Sequence, residues 1–167
     1  MSNLKTAFRG TPVNVSGTLP EIGSTLPDFT VTTDELAPLK NTDLAGQRVI
    51  YNIFPSVDTG VCATSVREFN QRATDLDGTV VVNLSRDLPF ALGRFCGAEN
   101  TNNARVASDF RHEFGDAVGL VQQDGPLAGL LARSVIVTDA EGRVLHTELV
   151  DEIATEPNYD AAIAALS

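Results

Sequence analysis

The chain has 167 residues, 43% of them hydrophobic and 20% charged, enough for one core that needs neither disulfide staples nor a structural metal. Its net charge of -10 repels phosphate backbones and anionic lipid, which excludes nucleic acid and membrane surfaces as expected partners. No internal repeat or low-complexity tract divides it, so residues 1–167 are expected to form a single domain.

The opening MSNLKTAFRGTPVNV lacks an apolar h-region and a small-residue cleavage site. No apolar run nears the roughly 18 residues of a membrane span, so a cytoplasmic location is expected. Val13 and Val15 alternate with polar neighbours after Gly10-Thr11-Pro12, and Phe29 and Val31 do so after Pro27. This predicts short strands of an N-terminal hairpin region. Residues 48–54 (RVIYNIF) form an apolar, β-branched run that stops at Pro55, a buried strand. Cys62, Val66, Phe69, Ala73 and Leu76 then recur at helical spacing, with Arg67, Glu68, Gln71 and Asp75 off the stripe. Gly78 closes that unit and TVVVNL (79–84) supplies a second buried strand, giving β-α-β with parallel pairing.

Beyond it, Leu88 to Cys96 predicts a short helix with Pro89 in its first turn and Asp87 as cap. Gly97 and the Asn100 to Asn103 cluster read as a loop, and Asp109 to Phe114 as another short helix. RSVIVT (133–138) and VLHTELV (144–150) are strands around the hairpin turn Asp139-Ala140-Glu141-Gly142, and Asn158 to Leu166 is a terminal helix. The fold class is α/β: a mixed central sheet with helices on both sides.

The chemistry concentrates at Cys62. With Thr59 as N-cap, Gly60, Val61 and Cys62 are the first three helical residues, so the sulfur lies beside open amides and the positive end of the dipole, where a thiolate is favoured. Bringing any thiol from its reference near 8.5 to about 6 requires roughly 3.4 kcal/mol, whereas a helix terminus supplies about 0.3–1 and at best ~2. A working thiolate therefore needs a nearby cation. Arg133, entering the apolar strand of GLLARSVIV, fits, because a buried guanidinium requires a partner. That partner could equally be one of the 22 acidic residues, and Cys62 could equally be a small buried hydrophobe. Together, Pro55, Thr59, Cys62 and Arg133 could build one site from a turn, a hydroxyl, a nucleophile and a cation.

The pattern P-x-x-x-T-x-x-C formed by Pro55, Thr59 and Cys62 resembles the active-site motif of peroxiredoxins. NIFPSVDTGVCATSVREFN, DLPFALGRFCGAEN, DGPLAGLLARSVIV, LVDEIATEPNYDAAI and the N-terminal FRGTPVNVSGTLPEIGSTLPDFTV resemble, in order and nearly end to end, the bacterial thiol peroxidase branch of that family. The resemblance implies a thioredoxin-like fold with an added N-terminal hairpin, a homodimer, hydroperoxide substrates and thioredoxin as reductant. It implies that Cys62 is the peroxidatic and Cys96 the resolving cysteine of an intramolecular disulfide. Thr59 and Arg133 would orient the peroxide and hold the thiolate, and Pro55 would shield the site. No cofactor, haem, flavin or metal is required. Arg86 in SRDLPF and the NTNNA run after Glu99 depart from the branch pattern.

Two other readings compete: a general thiol-disulfide oxidoreductase, disfavoured because no CxxC is present, and a non-catalytic thioredoxin-like binding module with structural thiols. His112 and His146 receive no role, since a thiolate attacks without a base. Asn83 reads as a plain strand residue.

Overall fold

The structure, a computed structural model, describes residues 5–96 and 104–166. Two strands, β1 (Lys5–Phe8) and β2 (Thr11–Asn14), form a hairpin whose two-residue turn places Arg9 and Gly10 at φ 51° and 83°. A turn with both central residues at positive φ matches the right-handed twist of the strands it joins, and glycine enters it without strain. Val13 belongs to this hairpin, but Phe29 and Val31 do not: Val31 lies in β3 (Thr30–Thr33), part of the main sheet and paired antiparallel with β4 (Pro38–Lys40).

The main sheet continues with β5 (Arg48–Ile53), β6 (Thr79–Ser85), β7 (Ala104–Ser108), β8 (Ser134–Thr138) and β9 (Val144–Leu149), in the spatial order β4-β3-β7-β6-β5-β8-β9. β5, β6 and β7 run parallel at its centre, while β3, β4, β8 and β9 pair antiparallel at its edges. The parallel β5-β6 unit and the β8-β9 hairpin are those read from the sequence, with Gly142 at φ 79° closing the latter. β7 lies between the expected loop and the expected helix at Asp109, over residues 104–108 to which the sequence pattern, interrupted by Arg105, assigns no element. Residues 97–103, including the predicted Asn100 to Asn103 loop, lie outside the described residues.

Among the described residues the α-helices are α1 (Gly60–Ala73), α2 (Pro89–Cys96), α3 (Phe114–Ala117) and α4 (Tyr159–Ala164), with a short 3-10 helix at Asn41–Leu44. One sheet face, with Ile50, Val81, Val135 and Val137, packs on Phe69 and Ala73 of α1 and Ala162 of α4. The other, with Val49, Tyr51, Ile53, Val82, Leu84 and Ile136, packs on Phe114, Val118, Leu120 and Leu131. The helices therefore cover both faces, as the alternation along β5 demands.

Two predicted helices are corrected. Leu76 lies past the end of α1, which stops at Ala73, and only partly joins the core. Asp109 to Glu113 is a turn rather than a helix, because the Asp109 carboxylate accepts from the amides of Phe114 and Gly115 and so starts α3 at Phe114.

Beneath α1 the apolar face is interrupted by a buried amide pair. Asn52 and Asn83 stand opposite each other on β5 and β6. The Asn52 side-chain amide donates to Asn83 Oδ1 (3.0 Å) and Ser65 Oγ (3.3 Å); that of Asn83 donates to Asn70 Oδ1 (3.0 Å) and the Arg105 carbonyl (3.3 Å). Asn83 is thus more than a strand residue: its side chain joins β5 and β7 to α1 at Asn70. Asn52 Oδ1 has no partner among the described residues, but the hydrogen bonds of this network favour the observed register, and breaking them leaves further buried groups unpaired. Asn83→Ala should lower unfolding stability by about 2–3 kcal/mol with an unchanged urea m value. A shift in urea midpoint equivalent to less than about 0.5 kcal/mol would show that the network carries no weight.

Candidate functional site

β5 ends at Ile53, and Phe54 and Pro55 carry the chain, both buried, into the turn Ser56–Asp58 ahead of α1. Thr59 caps α1 as expected: its backbone is extended and its Oγ1 accepts from the Cys62 amide at 3.3 Å while donating to the Ser56 carbonyl at 3.3 Å. The cap leaves Cys62 in the first turn, and its sulfur faces inward among Phe54, Val57, Val66, Leu92 and Val106. The residue is 0% exposed.

Arg133, immediately before β8, is also enclosed, at 2% exposure. One terminal nitrogen donates to Cys62 Sγ at 3.0 Å and Nε donates to the Ile153 carbonyl at 2.7 Å. The other terminal nitrogen, NH1, has no partner among the described residues. No carboxylate among those residues forms an ion pair with Arg133, so the alternative of an acidic partner at the sheet's end is not what the geometry provides. A buried guanidinium without a counter-ion is strongly unfavourable, which makes the sulfur its electrostatic partner.

Above the sulfur lies a cleft of about 160 Å³ lined by Pro55, Thr59, Val61, Leu127, Arg133 and Ile153, with Phe8, Arg9, Gly60 and Ala154 at its rim. Cys62 does not line the cleft itself; its enclosed sulfur meets the lining through Arg133. Arg133 is therefore brought from 71 positions away to the short stretch that carries Pro55, Thr59 and Cys62. Cys96 is the last residue of α2, and its side chain lies outside the described part of the structure. His112 pairs with Thr32 Oγ1 at 2.7 Å, and neither histidine lines the cleft. Among the described residues no three His, Cys, Asp or Glu side chains converge as metal ligands.

The cleft depends on residues the sequence reading did not single out. Ile153 contributes only its backbone: its amide donates to the Ala7 carbonyl of the hairpin (2.8 Å) and its carbonyl holds Arg133. Glu152 fixes the hairpin tip by accepting from the amides of Arg9 (2.8 Å) and Gly10 (3.0 Å). The Gly10 and Arg9 amides hold its carboxyl below the ordinary range. Asp87, expected to cap α2, instead directs its oxygens at Ser56 Oγ (2.7 Å), the Val57 amide (2.9 Å) and Ser85 Oγ (2.5 Å), and so ties the turn before α1 to the end of β6. The usable sequence signal for Asp87 was its place at the end of a buried strand, where a carboxylate reaches the neighbouring strand's loop.

Residues 21–163 match the Redoxin family. A thiol peroxidase of Corynebacterium glutamicum is 54% identical over 163 residues, spanning 98% of this chain and 99% of its own. The crystal structure of a peroxiredoxin-like protein from Aquifex aeolicus superposes with a TM-score of 0.88 at 36% identity, covering 96% of this chain and 94% of that one. A thiol peroxidase from Chromobacterium violaceum, at 20% identity, shares the fold with a TM-score of 0.90 over 99% of this chain and 96% of its own. The fold is accordingly thioredoxin-like with an N-terminal hairpin, and the chain belongs to the redoxin family, among its peroxiredoxin-type thiol peroxidases.

Proposed function

We propose that this single-domain protein reduces hydrogen peroxide and organic hydroperoxides, alkyl or lipid, to water or alcohols, as a cytoplasmic antioxidant enzyme recycled by thioredoxin. The observation that carries this reading is the buried Arg133, which gives one N–H to the Cys62 sulfur and keeps a second nitrogen, NH1, unpaired among the described residues. A structural thiol in a non-catalytic module has no use for a cation held in this way.

The Cys62 thiolate attacks the terminal peroxide oxygen; an S–O bond forms as the O–O bond breaks. The leaving alkoxide or hydroxide collects charge, which Arg133 and the Thr59 hydroxyl stabilise until it takes a proton and departs as alcohol or water. Pro55 closes the site against bulk water. Cys62 is left as sulfenic acid, which the Cys96 thiol condenses with, releasing water and forming an intramolecular disulfide. A dithiol such as thioredoxin reduces that bond by exchange. The apolar lining of the cleft favours substrates with a hydrocarbon substituent.

In a peroxide-consumption assay with a thioredoxin system, Cys62→Ser should be inactive, and Cys96→Ser should keep one rapid turnover but lose recycling. Arg133→Met should lose two to three orders of magnitude in kcat/KM, the usual effect of removing one transition-state donor. Its folded state should lose about 1–3 kcal/mol, because the buried Ile153 carbonyl is left without its donor. Unchanged turnover in Cys62→Ser would sink the peroxidase reading.

Disulfide formation needs the two Cα atoms within about 7 Å, yet Cys62 starts α1 and Cys96 ends α2. We infer that one of these turns unwinds. The bonds joining the two helices are suited to release: Arg94 meets Asp58 at 3.2 Å with both side chains largely exposed, and Arg67 lies over the Phe95 ring. Hydrogen exchange at residues 59–64 and 89–95 should be faster in the disulfide form than in the reduced form. Equal protection in both forms counts against the unwinding.

A homodimer is supported by exposed Leu88, Phe90 and Phe110, which the Ser108–Asp87 and Phe110–Ser108 hydrogen bonds hold in one region. Sedimentation should give a dimer that Phe90→Asp weakens; a wild-type monomer at tens of micromolar rules this out.

A further inference from the structure

Thr59, Gly60 and Val61 at the start of α1 and Arg133 just before β8 line the cleft, but one wall, Leu127, stands on the irregular segment 123–130 between α3 and β8. Leu127 is half-buried, and its flanking residues 123–126, 128 and 129 are exposed, so core packing does not fix its position. The segment closes on itself through backbone hydrogen bonds from the Gly129 amide to Gln122 (2.9 Å) and from the Leu130 amide to Leu127 (3.0 Å), the Gln123 amide donates to the Asn14 carbonyl (2.8 Å), and side chains hold it at two further points. At its start Asp124 accepts from the Asn14 amide (3.0 Å) and side chain (2.7 Å) of β2. At its end the Gly129 carbonyl accepts from Arg86 at 2.7 Å.

Arg86 is anchored in turn. Its Nε meets Asp109 Oδ2 at 3.3 Å, and Asp109, 1% exposed, is itself fixed by the Phe114 and Gly115 amides at the start of α3. Gly115 admits no side chain here: a Cβ would stand 2.4 Å from Leu131 and 3.2 Å from Asp109 Oδ2. The guanidinium thus connects a rigid, buried carboxylate to the carbonyl two residues past Leu127. Its planar fork serves both acceptors at once, which an ammonium cannot do as well.

We propose that Arg86 is a positioning residue for substrate selection: through Gly129 it sets the Leu127 wall against which the organic substituent of a hydroperoxide packs. The proposal rests on the peroxidase reading. Hydrogen peroxide carries no substituent, so it does not use this wall, whereas a bulky hydroperoxide gains ground-state and transition-state binding from it. A well-formed apolar contact of this size is worth roughly tenfold or more in discrimination.

The test measures kcat and KM for hydrogen peroxide and for cumene hydroperoxide, with dithiothreitol as reductant, in wild type, Arg86→Ala, Arg86→Lys, Leu127→Ala and the double variant Arg86→Ala/Leu127→Ala. The kcat/KM ratio of cumene hydroperoxide to hydrogen peroxide should fall about tenfold in Arg86→Ala and in Leu127→Ala, chiefly through KM. The double variant should be no worse than the worse single one, because both remove the same wall. Arg86→Lys, which keeps one donor, should recover part of the ratio and stands in if Arg86→Ala folds poorly. An unchanged ratio, an equal fall for both substrates, or additive effects in the double variant overturns the proposal while leaving the peroxidase reading standing. A wild-type protein that consumes neither hydroperoxide overturns both.

Discussion

The contact between the Arg133 guanidinium and the Cys62 sulfur is the constraint around which the molecule is arranged. Enclosing a permanent cation at 2% exposure is unfavourable by several kcal/mol unless an anion or a set of acceptors receives it. Here the acceptors are one backbone carbonyl and one sulfur, 2.7 and 3.0 Å away. The rest of the scaffold keeps these two in place. The hairpin docks through Ala7 on Ile153 and so fixes the carbonyl, while the Thr59 cap and the Ser65–Cys62 hydrogen bond fix the helix turn that bears the sulfur. An N-cap contributes about 1 kcal/mol, enough to hold the turn that carries the sulfur toward a guanidinium supplied by another element.

The proposed disulfide asks the same site to hold firmly and then release, and the two demands fall on different bonds. The firm part lies deep, in the Asn52-Asn83-Ser65-Asn70 network that clamps the middle of α1 to β5 and β6. The yielding part lies at the surface, where the turn before α1 is attached by Asp87 and by the exposed Asp58–Arg94 pair. Exposed pairs are worth little and are screened by salt. Opening the first turn of α1 therefore need not disturb the sheet, because the polar contacts below it begin at Ser65 and extend to Asn70.

Legibility in the sequence followed how local each feature is. The β5-α1-β6 unit, the Thr59 cap and the Gly142 turn were readable because each rests on a few consecutive residues with one periodicity or one backbone requirement. The motif Pro55, Thr59 and Cys62 was readable for the same reason, and Arg133 because a charge at the edge of an apolar strand asks for an explanation. Asp87 and Asp109 were misread because an aspartate near a proline or a turn fits several local roles. Which amides each meets depends on strands that are neighbours only after folding. The Ile153 carbonyl and the Leu127 wall leave no side-chain signal at all: one acts through its backbone, and the other is a leucine among leucines.

The cleft is consequently made of two kinds of structure with different tolerance to change. Its floor consists of helix and strand termini whose positions are set by the core, so displacing Cys62 or Arg133 means displacing β5, β8 or α1. Its walls, at Leu127 and at the hairpin tip, stand on turns held by side-chain to backbone hydrogen bonds from Arg86, Asp124 and Glu152. Such exposed bonds are weakened by competition with water and are a small part of a domain's stability. The width of the mouth is therefore adjustable by single surface substitutions, while the chemistry at the floor stays where the fold puts it.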